Sequence, residues 1–187
     1  MGYRHSKDEI LEGAISFALA EGLSRMTFGS LARHLGISDR IIVYYFPSKS
    51  DLINEVMGQV GLRVQTTLQS VIKTAATDHK EFVGAVWPAL AQRKNDPMFA
   101  LFFEASGLAV AGVEPYRSMA PALVRAWIDW AEQSIDGPPA FRKTQASAAI
   151  ATLDGLLLMR QLAGAEVANR AAKGIMSPNT RSSRRGK

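Results

Sequence analysis

MTFGSLARHLGISDRIIVYYFPSK, residues 26–49, is the stretch on which the reading of this chain turns. Thr27 stands where an N-cap belongs, ahead of a short helix whose inward residues are Leu31 and Leu35. Ala32 is small where a second helix must pass close, and Gly36 breaks the helix at a turn that favours positive φ. Ser38 caps the next helix, Asp39 suits its first turn, and Ile42 points back inward. Small residue, glycine and apolar residue at this spacing define a helix-turn-helix, whose second helix enters a groove of DNA. Phe46 and Pro47 end the unit, and Ser48 with Asp51 opens the following helix with a reciprocal cap.

Working outward, residues 6–22 place Ile10, Leu11, Ala14, Phe17 and Ala18 at helical spacing, with Ser6 as N-cap, Glu9 three residues on, and Gly22 closing. This helix backs the two short ones and completes a three-helix core. Residues 49–75 read as one long helix with an apolar stripe from Leu52 to Ile72, weakened or bent at Gly58 and Gly61. Beyond it the pattern is helical throughout: 78–94, then 98–111 opened by Asp96 and Pro97, then a helix kinked or started afresh at Pro121. Residues 136–139, Asp-Gly-Pro-Pro, form a strong stop. Residues 140–172 read as one last helix, apolar or small on nearly every face between 146 and 165, with Ala163 and Gly164 allowing close helix approach. Such a helix must be covered all round, so its second face is expected to meet another copy of the chain. The expected organisation is a reading unit over 1–48, a helical bundle over 49–173 and a disordered basic tail over 174–187.

The 187 residues carry a formal charge of +5, and the charge is unevenly placed. Six of the 22 basic residues lie from Arg170 onward with no acid among them, leaving 16 against 17 acids elsewhere. The basicity is therefore a property of the tail, and a DNA reading must rest on where charges sit. Cysteine is absent, which excludes disulfides and thiolate metal sites. No apolar run approaches the ~20 residues of a membrane span, and the acids within residues 8–12 do not suit a signal peptide. A cytoplasmic protein is expected.

With these segments in place, the first ~55 residues resemble the DNA-binding domain of the tetracycline-repressor (TetR) family, through ILEGAISFALAEGLSRMTFGSLARHLGIS and YYFPSKSDL. The resemblance implies an all-α protein: an N-terminal three-helix helix-turn-helix domain, then a C-terminal bundle for dimerisation and ligand binding. It also implies phosphate contacts from Thr27, Tyr44, Tyr45 and Lys49, with Ser38, Asp39, Arg40 and Val43 toward the bases. This sequence departs from the family at Ile41 and Val43, where threonine and tyrosine are frequent, and at Arg40, where glycine is. DGLLLMRQLAG, residues 154–164, resembles the family's last dimer-forming helix and points to Ile150, Leu153, Leu156, Leu157 and Arg160 as interface.

Together these readings predict a regulator, a repressor in the first instance, that binds double-stranded DNA at a palindromic operator as a homodimer. A small apolar or aromatic effector is expected to release it from a pocket drawn from Trp87, Met98, Phe99, Phe102, Phe103, Trp127, Trp130 and Met159, a cluster of large soft side chains. Catalytic residues, cofactors and metal are not expected: the three histidines are scattered, and no phosphate loop, nucleophile elbow or metal-ligand spacing occurs. The competing reading is an architectural or adaptor protein with nonspecific DNA contact and no ligand.

Overall fold

The computed structural model describes residues 5–177. In chain order these form α1 (Lys7–Glu21), α2 (Phe28–Leu35), α3 (Asp39–Tyr45), α4 (Lys49–Gln69), α5 (His79–Leu90), α6 (Asp96–Val110), α7 (Tyr116–Glu132), α8 (Pro139–Ala163) and α9 (Ala165–Met176). A single 3-10 turn, Arg93–Asn95, precedes α6. The only extended pairing among the described residues is a parallel bridge between Ala76 and Ile135. The fold is all-α.

Packing groups the chain into two compact units: Met1–Gln69 with Arg93–Arg125, and Ser70–Gln92 with Ala126–Lys187. In the first, Ile10, Ala14 and Phe17 of α1, Leu31 of α2, Ile42 of α3, and Leu52, Ile53 and Val56 of α4 form one core. Leu101 and Ala105 of α6 join the same core. This grouping cuts across the boundary expected at residue 48, which stays a reading of function. In the second unit, α8 packs on α5 and α9.

The helix ends follow their local chemistry. Ser6 accepts from the Glu9 amide at 3.1 Å while Glu9 accepts from the Ser6 amide at 2.8 Å. Thr27 and Ser30 close the same box at 3.0 and 2.9 Å, and Ser48 and Asp51 at 3.1 and 3.0 Å. Helix α4 runs unbroken through Gly58 and Gly61, because burial of Val56, Met57, Val60 and Val64 outweighs the roughly 1 kcal/mol each glycine costs.

Several helix bounds differ from those expected. Helix α4 ends at Gln69, short of 75. The chain then turns so that Ala76 gives its amide to the Ser134 carbonyl and takes the Asp136 amide, both at 2.8 Å. Helix α5 stops at Leu90, four residues early, and α6 begins at Asp96 with Pro97 in its first turn. The fresh helix starts at Tyr116, with Pro121 inside it. The long last helix is two: Gly164 has φ 87° and ψ 168°, a conformation nearly confined to glycine, and separates α8 from α9. Helix α9 extends to Met176, so the expected tail does not begin at 174. Residues 178–187 lie outside the described residues.

Gly164→Ala is expected to destabilise the protein by about 1–3 kcal/mol, read as a lower midpoint in urea. An unchanged midpoint would mean that the break is not held by this glycine.

Candidate nucleic-acid interface

The reading unit is built around one turn. Gly36 sits at φ 66° and ψ 30°, left-handed. Its amide reaches the Arg33 carbonyl at 3.4 Å, and the Ile37 amide reaches Ala32 at 3.1 Å. This double closure is the Schellman pattern, which satisfies the last carbonyls of α2 and fixes the exit direction of the chain. Ser38 then accepts from the Arg40 amide at 3.3 Å and starts α3. Ile42 and Phe46 are wholly buried, so the seven residues of α3 are pinned along one side.

The opposite side is in water. Asp39 and Arg40 are exposed, Val43 is 42% exposed and Tyr44 78%. An aromatic ring that far out of the core leaves considerable apolar surface hydrated. Lys49, at the first turn of α4, is exposed as well. Neither Arg40 nor Lys49 has an ion-pair partner among the described residues. Three other cations of the unit do: Lys7 pairs with Glu55 at 2.6 Å, Arg25 with Glu21 at 3.0 Å, and Arg63 with Glu12.

Two expected phosphate contacts are already engaged within the chain. The Tyr45 hydroxyl donates to the His5 carbonyl at 2.9 Å, and its ring meets Tyr44 edge-on at 4.9 Å. The Thr27 hydroxyl accepts from the Ser30 amide and bonds the Ser30 hydroxyl, each at 3.0 Å. Ser30 in turn donates to the Arg25 carbonyl at 2.8 Å. Both side chains hold the unit's own geometry.

Sequence reasoning missed Glu104 and Tyr116. The Glu104 carboxylate, on α6, accepts from the Leu23 amide at 2.8 Å, the Ser24 amide at 2.8 Å and the Ser24 hydroxyl at 2.5 Å. These atoms belong to the loop joining α1 to α2. Burial pushes the Glu104 carboxyl up, yet the Ser24 and Leu23 donors outweigh it and hold it below its ordinary range. The Tyr116 hydroxyl points at the Leu23 carbonyl at 3.5 Å, and burial, with the nearby Glu104 charge, pushes that phenol up.

The expected pocket residues divide between the two units. Met98, Phe99, Phe102 and Phe103 lie in the first unit, and Trp87, Trp127, Trp130 and Met159 in the second. Trp87 is buried and gives its indole N–H to Asn169 at 3.0 Å. Trp127 and Phe82 both stack edge-on against Trp130. Of the eight, Phe102 lines an apolar groove between α6 and α7, with Ala105, Ser106, Tyr116, Met119, Ala120, Leu123 and Val124. Its volume is about 30 Å³, room for about one water and far below the ~300 Å³ at which small-molecule sites begin. Among the described residues, no three or more metal-ligating side chains converge.

The expected interface residues face inward. Ile150, Leu153, Leu156, Leu157 and Arg160 are all buried inside the subunit. Besides Phe141 near its start, the large apolar side chains that α8 leaves in water are Leu158, Met159 and Leu162, the last 79% exposed. Ala151 and Gly155 share that exposed side. Asp154 lies half-buried on the same helix, where burial pushes its carboxyl up to about 6. No helix among the described residues is long and apolar enough to cross a membrane.

An all-helical chain that presents a short, anchored helix after a glycine turn belongs to the helix-turn-helix class of DNA-binding proteins. Residues 10–56 match the family described as bacterial regulatory proteins, tetR family. Over that segment the chain is similar to the regulators of the tetR family. Solved structures share the fold across nearly the whole chain. A TetR transcriptional regulator from Legionella pneumophila is 22% identical, with a TM-score of 0.61, covering 94% of this chain and 97% of its own. A transcriptional regulator from Rhodococcus sp. RHA1 is 16% identical, TM-score 0.71, covering 92% and 94%. A Saccharomonospora viridis protein crystallised in complex with choline is 18% identical, TM-score 0.69, covering 92% and 96%. Comparison with curated proteins gives no significant match.

For a carboxyl raised on folding, the stabilising contribution is full below the unfolded value, 3.8, and is lost as pH rises through about 6. Asp154→Asn is therefore expected to stabilise the protein by about 1–3 kcal/mol at pH 7.5 and negligibly at pH 4. Thermal melts at the two pH values decide it; equal shifts at both would refute the burial account.

Proposed function

We propose that the chain binds a palindromic DNA operator as a homodimer through its two α3 helices, and that a small apolar or aromatic effector releases it, so that it acts as a repressor. The observation that carries this reading is the outward side of α3. Arg40, Val43 and Tyr44 stand in water on a helix whose other side is anchored by Ile42 and Phe46. Arg40 reaches toward base edges, where a bidentate guanine contact discriminates by roughly 1–3 kcal/mol. Asp39 and Ser38 accompany it at the helix start. Lys49 and Tyr44 grip the sugar-phosphate backbone and fix register without reading sequence.

Leu158, Met159 and Leu162 support a second copy seated on α8, with Ala151 and Gly155 small enough for close helix approach. Such a dimer must hold its α3 helices about 34–36 Å apart to reach successive major-groove faces. For the effector, support comes from the α6–α7 groove and from the choline complex of a protein with this fold. At about 30 Å³ the groove admits no effector as it stands. Binding therefore requires that α6 and α7 part, which gives an effector two states to distinguish.

In vitro selection from a random DNA pool tests the whole reading. An inverted repeat with half-sites about 10–10.5 base pairs apart is expected; equal binding to many sequences with a steep salt slope would favour an architectural role instead. Leu158→Glu with Leu162→Glu is expected to give a monomer by light scattering, and to lose the preference for paired half-sites. Arg40→Ala should relax the choice at one position of the half-site, at about 1–3 kcal/mol. Lys49→Ala should weaken all DNA alike and lower the salt slope by about 1; a changed sequence preference in that variant would move Lys49 to the bases.

A further inference from the structure

The loop from α1 to α2 is held from a distance of some eighty residues. Leu23 is wholly buried, and its amide and that of Ser24 both end on the Glu104 carboxylate at 2.8 Å. Gly22 enters the loop at φ 86°, and a Cβ there would stand 2.9 Å from a Glu104 oxygen, so the carboxylate sits hard against the backbone. The Leu23 carbonyl takes the Met26 amide at 3.1 Å and faces the Tyr116 hydroxyl at 3.5 Å. One residue past Met26 stands Thr27, whose capping box opens α2 and leans through Ser30 on the Arg25 carbonyl. Hydrogen bonds and the short backbone between them thus link α6 to α2, the first helix of the helix-turn-helix.

The same α6 forms a wall of the groove described above. Ala105, next to Glu104, lines it, and so does Tyr116. Anything that enters this groove meets Tyr116 and the residue beside Glu104, the two points from which Leu23 is held.

We propose that Glu104 is the positioning residue through which α6 sets the geometry of the helix-turn-helix, so that parting α6 from α7 at their groove loosens the grip on the operator. This rests on the operator-binding reading above. A carboxylate suits the task because it accepts three donors at once, and charge-assisted bonds lose strength steeply when stretched or misaligned. The movement at the groove needs to be only a fraction of an ångström to be felt at Ser24.

A double-mutant cycle tests it, with the duplex that the wild-type protein selects as probe. Glu104→Gln removes the charge, and Ala120→Leu crowds the groove from the α7 side. Each alone is expected to lower operator affinity about ten-fold, with helix content unchanged by circular dichroism. Each should also speed hydrogen exchange at the Leu23 and Ser24 amides. In the Glu104→Gln background, Ala120→Leu should add less than about two-fold, because the link it acts through is gone. Additive losses, or wild-type affinity in either single variant, overturn the proposal while leaving the operator reading intact. If the wild-type protein selects no duplex at all, both fall. Should Glu104→Gln fail to fold, Ser24→Ala takes its place in the cycle and removes one of the three bonds.

Discussion

Burial of Ile42 and Phe46 is what the reading unit depends on. A seven-residue helix does not hold its shape in water unaided, because nucleation costs more than so few hydrogen bonds return. Helix α3 exists because one side of it is sealed into the core shared by α1, α2 and α4. The Gly36 turn fixes its direction by closing two hydrogen bonds around a left-handed residue. The outward residues inherit their rigidity from this arrangement. Tyr44 needs no partner of its own to be held out at 78% exposure, since its backbone is fixed from the other side.

Electrostatics follow the same economy. Outside the last eighteen residues the chain is close to neutral, so attraction to a polyanion cannot come from bulk charge. It comes from which cations are left unpaired. Lys7, Arg25 and Arg63 are tied to glutamates, whereas Arg40 and Lys49 are tied to none among the described residues. Exposed ion pairs contribute little to stability, typically under about 1 kcal/mol, so their effect is more one of subtraction. They neutralise Lys7, Arg25 and Arg63, while Arg40 and Lys49 stay available beside α3.

Much of this was legible in the sequence, and what was not has physical causes. The capping boxes at Ser6 and Ser48, the N-caps Thr27 and Ser38, and the Gly36 turn are encoded within three or four residues, so spacing alone reveals them. Glu104 gave no such sign, because its partners lie some eighty residues away and a glutamate inside a helix usually means only a wet face. Gly164 was ambiguous for a different reason. A glycine among alanines suits close helix packing and a helix break equally, and only the backbone angle separates the two. The α8 helix shows the same limit: a sequence apolar on nearly all sides predicts two buried faces but not which one turns inward. Here Leu153, Leu156 and Leu157 turned inward, and Leu158 and Leu162 were left in water.

The scattering of the large aromatics bears on how regulation can work at all. Trp127 and Trp130 stack on one another and Trp87 is hydrogen-bonded in place, so in the second unit these rings fill space rather than enclose it. In the first, Phe102 borders a groove fit for little more than a water. This groove offers the proposed effector no ready-made seat, and the form of it that binds must be a minor one. Affinity is then lowered by the fraction of molecules in that state, and the effector's leverage equals its preference for the open form over the closed one. Swinging such an equilibrium from one side almost wholly to the other takes about 5.5 kcal/mol of differential binding. Burial of apolar surface at about 25 cal/mol per Å² supplies that from roughly 220 Å². That is the area of a single large aromatic ring system, so the compactness of the groove sets a minimum on effector size as much as a barrier to entry.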